Sequence, residues 1–362
     1  MKRVRVLVVD DSPTTRRLLV SILRADDEID VIGEAADGVE AVEMVKRLRP
    51  DIVTMDVQMP KLDGFAATKR IMVEAPTPIL ITTSIDPRAL SISLEAVRMG
   101  ALAVQAKPGD PRGPGFDEEA RELVRQVKSM SHVKVVRHYD PEPARVAPRQ
   151  SASAAALHDL PAEVIAIAAS TGGPAALHLI LTALPADFPI PILIVQHISR
   201  GFSPGFAGWL DKASAVRVKL AEEGEGLRPG TVYVGVDDRH LCVTPSRKVH
   251  LSTSEAVGGF RPSGTVLFDS VAAAFGSRAV AVILTGMGRD GVDGLRAIRR
   301  LGGRTIAESE ATAVVYGMPS AAVQAGLADF ILPLGEVCSA LAGLFVAVRP
   351  PVVSGFRKVV TP

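Results

Sequence analysis

Acidic side chains follow two apolar runs near the start of the chain. Asp10 and Asp11 come directly after Val4–Val9, and Asp56 follows Ile52–Met55. Because the carboxyl ends of neighbouring parallel strands meet at one sheet edge, we expect the three carboxylates to lie together. Clustered carboxylates repel one another, and Mg²⁺, which prefers oxygen ligands, would neutralise them. These residues therefore predict a magnesium site.

A hydroxyl and an ammonium group are predicted at the same edge. Thr83 ends the fourth apolar run and Lys107, followed by Pro108, ends the fifth. Both side chains suit the oxygens of a phosphoryl group on Asp56. A single polar residue at a strand end is usually a solvated loop residue, but five at the right strand ends in chain order favour a functional cluster.

A serine in the second half of the chain occupies a predicted strand-to-helix turn. Ser170 lies within the stretch from Ala168 to Pro174, and Pro174 suits a first helical turn. Such a serine is exposed at the sheet edge, as a nucleophile must be. The amides that begin the helix can also face a reacting oxyanion. A phosphate-binding loop and a simple turn remain alternatives for this stretch.

A histidine and an aspartate stand where they can serve that serine. His197 directly follows the apolar run Ile192–Gln196, at the same predicted edge as Ser170, and His240 is the second candidate for a general base. Asp290 follows another core strand, where it can orient His197 as in a Ser–His–Asp triad. This set predicts nucleophilic acyl chemistry.

The segment around Asp290 has a competing interpretation. Gly286, Gly288 and Gly291 match the dinucleotide fingerprint after a predicted strand, and Glu308 follows about twenty residues later. From this motif alone, NAD binding is the better interpretation.

Two alternations of Val/Ile-rich runs with amphipathic segments must position these residues. Each predicts a parallel sheet covered by helices on both faces. Strands are expected at Val4–Val9, Val31–Ala35, Ile52–Met55, Ile79–Thr83 and Leu102–Gln105, then at Val164–Ala168, Ile192–Gln196, Thr231–Val234, Val280–Thr285, Arg304–Ala307 and Phe330–Leu332. Helices are expected in the first half at Pro13–Leu23, Gly38–Arg47, Gly64–Val73 and Ala89–Met99. Between the two alternations, residues 129–160 lack periodicity and are rich in Pro, Ala and Ser, which predicts a linker.

Composition excludes several classes of protein. A net charge of +1 favours neither nucleic acid nor an anionic membrane as partner. No apolar stretch approaches the roughly 18 residues of a membrane span, and the acidic pair Asp10–Asp11 interrupts the first apolar run too early for a signal peptide. We therefore expect a cytoplasmic protein whose two cysteines are reduced.

Three motifs in the first half resemble the receiver domain of two-component response regulators. They are Val8-Val9-Asp10-Asp11-Ser12, Met55-Asp56-Val57-Gln58-Met59-Pro60 and Ala106-Lys107-Pro108. The resemblance implies a flavodoxin-like domain over residues 1–128. It implies that Asp56 accepts the phosphoryl group, that Asp10 and Asp11 help to bind Mg²⁺, and that Thr83 and Lys107 bind phosphoryl oxygens. Many receivers carry an aromatic switch residue where this chain has Val104.

Five motifs in the second half resemble the catalytic domain of the chemotaxis protein-glutamate methylesterase (CheB) family, and this resemblance outweighs the dinucleotide interpretation. They are Ser170-Thr171-Gly172-Gly173, Gln196-His197, Arg261-Pro262-Ser263, Leu284 to Gly291, and Tyr316-Gly317-Met318-Pro319. It implies that Ser170 is the nucleophile, His197 the general base and Asp290 the orienting carboxylate. Thr171 would lie beside the site and the Met287 amide in an oxyanion hole.

The two resemblances together imply a domain plan and a function. The expected plan is a receiver at 1–128, a linker at 129–160, a Rossmann-like methylesterase domain at 161–350 and a tail at 351–362. The implied function is a phosphorylation-activated serine hydrolase that removes methyl esters from chemoreceptor glutamates and deamidates receptor glutamines. The implied partners are methyl-accepting chemoreceptors and a chemotaxis histidine kinase, with Mg²⁺ at the receiver and no cofactor in the catalytic domain. A binding module with an inactive hydrolase domain remains the alternative.

Four positions depart from the usual pattern of that family. Ala168 replaces a common Gly, Val236–Asp238 replaces a turn of a small residue, Pro and Gly, Gly264-Thr265 replaces Val-Asp, and Glu308 replaces Gln. We expect these changes to alter substrate-facing loops and none of them to touch the three catalytic residues.

Overall fold

The chain forms two parallel β-sheets, each flanked by helices, in a computed structural model that describes residues 3–84, 95–97, 100–133, 135 and 162–348. This confirms the predicted α/β class. The first sheet has the strand order β2-β1-β3-β4-β5. Its strands are β1 (Val4–Val9), β2 (Ile29–Ala35), β3 (Ile52–Asp56), β4 (Ile79–Thr83) and β5 (Ala103–Ala106). Its helices are α1 (Pro13–Arg24), α2 (Gly38–Leu48), α3 (Gly64–Glu74) and α4 (Phe116–Met130).

The second sheet has seven parallel strands in the order β14-β13-β12-β6-β7-β9-β8. They are β6 (Val164–Ala169), β7 (Ile192–Gln196), β8 (Arg217–Leu220), β9 (Thr231–Val234), β12 (Ala279–Ile283), β13 (Arg304–Glu308) and β14 (Phe330–Leu332). β10 (His240–Val243) and β11 (Val249–Ser252) form a separate antiparallel hairpin. The helices are α5 (Gly173–Thr182), α6 (Ser203–Ala213), α7 (Gly264–Phe275), α8 (Val292–Arg300), α9 (Met318–Gln324) and α10 (Leu334–Val348).

Some elements were not predicted. The strands β8, β10 and β11 have four residues each and lack a long apolar run, so no clear pattern marks them. The helix α4 is amphipathic, but it is rich in charged residues and follows a loop rich in Gly and Pro. The helix predicted at Ala89–Met99 lies outside the described residues except for 95–97, which are helical. The 351–362 tail and most of the 129–160 linker also lie outside them.

The strand order of each sheet reverses at one point. In the first sheet this point lies between β1 and β3, and in the second it lies between β6 and β12. The loops that leave the carboxyl ends of strands diverge there and open a crevice, which is where sheets of this type bind ligands. The polar residues singled out from the sequence follow these strands.

The two sheets also meet each other. The Gly172 amide donates a hydrogen bond to the Leu102 carbonyl over 3.2 Å, and the Ala106 amide donates to Ser199 Oγ over 3.2 Å. Val314 packs against an apolar cluster of the first sheet that includes Leu102. The edge strand β5 and the residue before it therefore contact the second sheet at the loops that follow β6 and β7. Within the described ranges, no helix is both long enough and apolar enough to cross a bilayer.

Candidate functional sites

The structure brings the three N-terminal carboxylates together. Oxygens of Asp10, Asp11 and Asp56 all lie within 4.8 Å of one another. Asp10 is fully buried and Asp56 almost so, whereas Asp11 is exposed to solvent. An all-oxygen donor set with one open side fits a hard divalent cation.

Lys107 lies against this cluster. Its Nζ is 2.8 Å from Asp10 Oδ2 and 2.9 Å from Asp56 Oδ2. The contact with Asp10 is ionic, because that oxygen accepts no well-directed hydrogen bond from the described residues. Burial lowers the pKa of Lys107, but the two carboxylates outweigh burial and the pKa rises. Burial raises the pKa of Asp56 despite the nearby ammonium group.

Thr83 lies beside Lys107 at the end of β4. Its side chain is buried, and its carbonyl accepts a 2.9 Å hydrogen bond from the Lys107 amide. The structure thus places all five predicted residues of the N-terminal cluster at one sheet edge.

Ser170 is held at the carboxyl end of β6 by its backbone. Its amide donates to the Thr285 carbonyl over 3.0 Å, and its carbonyl accepts hydrogen bonds from the Gly173 amide and from Gln196 Nε2, both over 2.8 Å. The loop after β12 passes so close that a Cβ on Gly286 would lie 2.6 Å from Ser170 Cβ. Only glycine fits at position 286 without a shift.

His197 and Asp290 form a hydrogen-bonded pair. His197 Nε2 lies 2.9 Å from Asp290 Oδ2, and the His197 side chain is only 8% exposed. An ionised carboxylate only accepts hydrogen bonds, so Nε2 carries the ring proton and Nδ1 carries the free lone pair. That Nδ1 atom is buried and has no hydrogen-bond partner among the described residues. A buried imidazole with one free lone pair is suited to accept a proton.

Asp290 accepts three further hydrogen bonds. Ser263 Oγ donates to Oδ1 over 2.6 Å, the Gly264 amide to Oδ2 over 2.6 Å, and the Thr265 amide to Oδ1 over 3.2 Å. Burial by itself raises the pKa of Asp290, but the bonds from His197, Ser263 and Gly264 outweigh it and lower the pKa to about 2. The carboxylate is therefore ionised throughout the physiological range.

Ser170 and His197 occupy facing positions on neighbouring strands. Ala169 pairs with Gln196 in the parallel register, and the His197 amide donates to the Ala169 carbonyl over 2.9 Å. Ser170 and His197 are the next residues along each strand, and neighbouring strands lie about 4.8 Å apart. No hydrogen bond joins the side chains of Ser170 and His197 in the described part of the chain.

Two backbone amides next to Ser170 are not used by the fold. Neither the Thr171 amide nor the Met287 amide donates a hydrogen bond to any residue that the structure describes. The adjacent Gly172 amide donates to the Leu102 carbonyl of the first sheet. Thr171 follows Ser170 in the chain, and Met287 follows Gly286, which packs against Ser170. Free amides near a serine can receive a developing oxyanion.

The structure argues against the dinucleotide interpretation. Glu308 is fully buried, and its Oε2 accepts a 2.8 Å hydrogen bond from the Thr285 amide, so it is not available to a ribose. The Gly291 amide, which the fingerprint would direct at a pyrophosphate, donates to Thr265 Oγ1 over 2.9 Å. The ionised carboxylate of Asp290 would also repel a phosphate there.

His240, the second candidate for a general base, is engaged elsewhere. It is fully buried, its Nε2 lies 3.0 Å from the Glu255 carbonyl, and its Nδ1 accepts a 3.2 Å hydrogen bond from the Ser263 amide. A different neighbour of His197, the ring of Phe260, was not predicted: it stacks on the imidazole with the two ring centroids 3.9 Å apart. Phe260 lies in a loop without periodicity, so no pattern marks it.

The expectation that the four sequence departures leave the catalytic residues untouched is wrong for Gly264-Thr265. Both amides donate to Asp290, and a Cβ on Gly264 would lie 2.7 Å from Ala168 Cβ. Asp237 in the altered turn accepts hydrogen bonds from the Gly201 amide and Ser203 Oγ and so fastens the loop that follows His197. The physical reason is that segments far apart in the chain converge at the sheet edge.

Comparisons with known proteins agree with this arrangement. Residues 6–113 match the response regulator receiver domain family and residues 165–341 match the CheB methylesterase family. A protein-glutamate methylesterase/protein-glutamine glutaminase of Myxococcus xanthus is 50% identical over 94% of this chain and 97% of its own length. Another from Anaeromyxobacter dehalogenans is 52% identical over 94% of this chain and 98% of its own length.

A solved structure is similar to the second sheet and its helices. The CheB methylesterase catalytic domain of Thermotoga maritima is 39% identical, covers 51% of this chain and 98% of its own, and has a TM-score of 0.50. Since identity to the first two relatives extends over nearly their whole length, this chain belongs to the family of protein-glutamate methylesterases/protein-glutamine glutaminases, with a receiver domain ahead of a CheB methylesterase domain.

Proposed function

We propose that this protein is a phosphorylation-activated serine hydrolase that removes methyl esters from glutamates of methyl-accepting chemoreceptors and deamidates receptor glutamines. The observation that carries the proposal is the His197–Asp290 hydrogen bond, with a free Nδ1 lone pair, next to Ser170. The names of the relatives support the two activities.

In the proposed reaction Ser170 Oγ attacks the ester carbonyl carbon. His197 Nδ1 takes the hydroxyl proton, while Asp290 holds Nε2–H and stabilises the imidazolium. The tetrahedral intermediate collapses, the proton passes from His197 to the leaving methoxy oxygen, and methanol departs. Water then attacks the acyl-enzyme with His197 again as base, which releases the glutamate and restores Ser170. A glutamine substrate would release ammonia in the first half of the same cycle.

The Thr171 and Met287 amides are proposed to bind the oxyanion. Neither amide has another partner within the described residues, and each belongs to a residue next to Ser170 or next to Gly286, which packs against Ser170. Preorganised amides of this kind lose no energy to reorganisation when negative charge develops. Asp290 stays ionised above a pH of about 2, so it can accept the Nε2–H hydrogen bond of His197 throughout the physiological pH range.

Asp56 is proposed to accept the phosphoryl group from a chemotaxis histidine kinase. Asp10, Asp11 and Asp56 fit Mg²⁺ because all three offer carboxylate oxygens within reach of one ion. The ion would supply positive charge that offsets the phosphoryl oxygens and the carboxylates. Thr83 and Lys107 would bind phosphoryl oxygens, and Lys107 would then redistribute its contacts from Asp10 and Asp56.

The contacts of β5 support a control mechanism. Before phosphorylation, the Leu102 carbonyl occupies the Gly172 amide beside Ser170, and the Ala106 amide binds Ser199 in the loop after His197. Ala106 precedes Lys107, so a shift of Lys107 toward a phosphoryl group would be felt directly at this contact. Val104 is buried in β5, so a swinging aromatic ring at that position plays no part in the mechanism.

The decisive test is methanol release from methylated chemoreceptor membranes with and without a small-molecule phosphodonor. Release by the wild type should rise with phosphodonor and fall by about 10⁴–10⁶-fold in Ser170→Ala. Ser246→Ala is the matched control, because it removes an exposed serine hydroxyl from a distant turn. Equal release by wild type and Ser170→Ala would refute the assignment. Absence of release from the wild type would favour a binding module with an inactive hydrolase domain.

A further inference from the structure

Phe260 covers one face of the His197 imidazole. The two ring centroids are 3.9 Å apart and the ring planes are inclined by only 3°. The reaction also requires a fixed orientation of the imidazole, because Nε2–H must point at Asp290 while Nδ1 stays free to take a proton. A flat ring stacked in parallel opposes tilting of the imidazole plane. A hydrogen bond at one nitrogen alone leaves the ring free to tilt about that bond.

The loop that carries Phe260 is fastened at several points. The Phe260 and Val257 backbones exchange hydrogen bonds of 3.0 and 3.1 Å across the Gly258-Gly259 turn. Both glycines have positive φ, 60° and 87°, which suits a tight two-residue turn. Arg261 Nη1 donates to the Ser254 carbonyl over 3.1 Å and closes the base of the turn.

His240 secures both ends of the same loop. Its Nε2 donates to the Glu255 carbonyl, and its Nδ1 accepts from the Ser263 amide. Ser263 in turn donates to Asp290, the partner of His197. One buried imidazole therefore links the loop above His197 with the carboxylate that binds His197.

We propose that Phe260 is a positioning residue for the methylesterase reaction and keeps the His197 ring in the plane required for proton transfer. This inference rests on the proposed function. During the reaction His197 becomes a cation, and an aromatic face attracts a cation. The stack therefore stabilises both the ring geometry and the charge that develops on it.

The test compares Phe260→Leu, Phe260→Tyr and the control Phe275→Leu in the full-length protein. Leucine keeps apolar bulk but lacks a flat face, whereas tyrosine keeps the ring. Phe275 is a buried phenylalanine of α7 in the same domain, packed beside Arg247 rather than His197. We expect Phe260→Leu to lower kcat by about 10²-fold, the size of the loss from a misplacement of about 1 Å, with KM changed far less. Phe260→Tyr should stay within roughly threefold of the wild type, since it retains the stacking face.

A second readout does not need a substrate. The Nε2 proton of His197, hydrogen-bonded to Asp290, should give a low-field proton resonance that Asp290→Asn removes. We expect this resonance in the wild type and Phe260→Tyr, and its loss by broadening in Phe260→Leu. Wild-type kcat and an unchanged resonance in Phe260→Leu would overturn the inference. An equal kcat loss in Phe260→Leu and Phe275→Leu, per folded molecule, would also overturn it. If the wild type hydrolyses no ester, the proposed function fails, and the resonance alone decides whether Phe260 positions His197.

Discussion

The variant Gly264→Val tests whether the backbone beneath Asp290 has room for a side chain. Gly264 begins α7, and its amide donates to Asp290 Oδ2 over 2.6 Å. A Cβ at this position would lie 2.7 Å from Ala168 Cβ and 3.3 Å from Asp290 Oδ2. A side chain at position 264 would therefore collide with the Ala168 methyl group unless one of the two segments shifts.

The expected loss of stability and turnover in Gly264→Val follows from the short distance between the new Cβ and Ala168 Cβ. Carbon atoms in contact prefer a separation of about 3.5–4.0 Å, so Gly264→Val must move the start of α7 by roughly 1 Å. Overpacking of this kind costs about 1–3 kcal/mol of folding free energy. Because the Gly264 amide moves with the helix, Asp290 and His197 should be displaced as well. A displacement of about 1 Å lowers turnover by about 10²-fold.

The assay is a double-mutant cycle with Ala168→Gly. Ester hydrolysis and urea denaturation are measured for the wild type, both single variants and the double variant. Removing Ala168 Cβ should restore most of the stability and turnover lost in Gly264→Val, with a coupling of about 1–3 kcal/mol. Additive losses, with no recovery in the double variant, would refute the steric reasoning.

Three other perturbations give separate expectations. Asp290→Asn should lower turnover by about 10⁴-fold, because it disturbs the His197 tautomer. The pKa of Asp290 is lowered from 3.8 to about 2, which corresponds to about 2 kcal/mol of stability, present above pH 3.8 and lost as pH falls to 2. Asp290→Asn should remove this stability at pH 7 in urea denaturation, and the exposed Asp293→Asn is the control. Burial raises the pKa of Glu308 above its ordinary 4.5, so ionisation of this carboxyl lowers the free energy of unfolding as pH rises from 4.5 through the raised pKa. Glu308→Gln should therefore raise the urea midpoint at pH 8 but not at pH 4. An unchanged midpoint at pH 8 would show that the buried carboxylate is not penalised. Ser199→Ala removes one hydrogen bond between the domains, worth about 0.5–1.5 kcal/mol, so methanol release without phosphodonor should rise roughly 2–10-fold and fully stimulated release should not change.

The sequence alone was sufficient to predict which strand ends carry the polar residues. Asp56, Ser170 and His197 each follow a short Val/Ile-rich run, and alternation of such runs with helices predicts a parallel sheet. In a parallel sheet the carboxyl ends of the strands share one edge. Clustering of these residues was therefore predictable from local pattern and topology.

Tertiary structure alone determined what surrounds these residues. Phe260 and Ser263 reach the site from a loop and a helix start that no periodicity marks. Leu102 lies in a predicted strand, but its carbonyl reaches the site from the other sheet, which no local pattern indicates. The roles of His240 and Glu308 could not be predicted either. In a sequence, a histidine or glutamate that is buried for structural reasons looks the same as one that takes part in a reaction, and only its contacts distinguish the two. Periodicity reports which face of an element is apolar, but the contacts of loops depend on how distant segments pack. For that reason the clustering of the predicted site residues could be foreseen from the sequence, whereas the contacts that hold them in place could not.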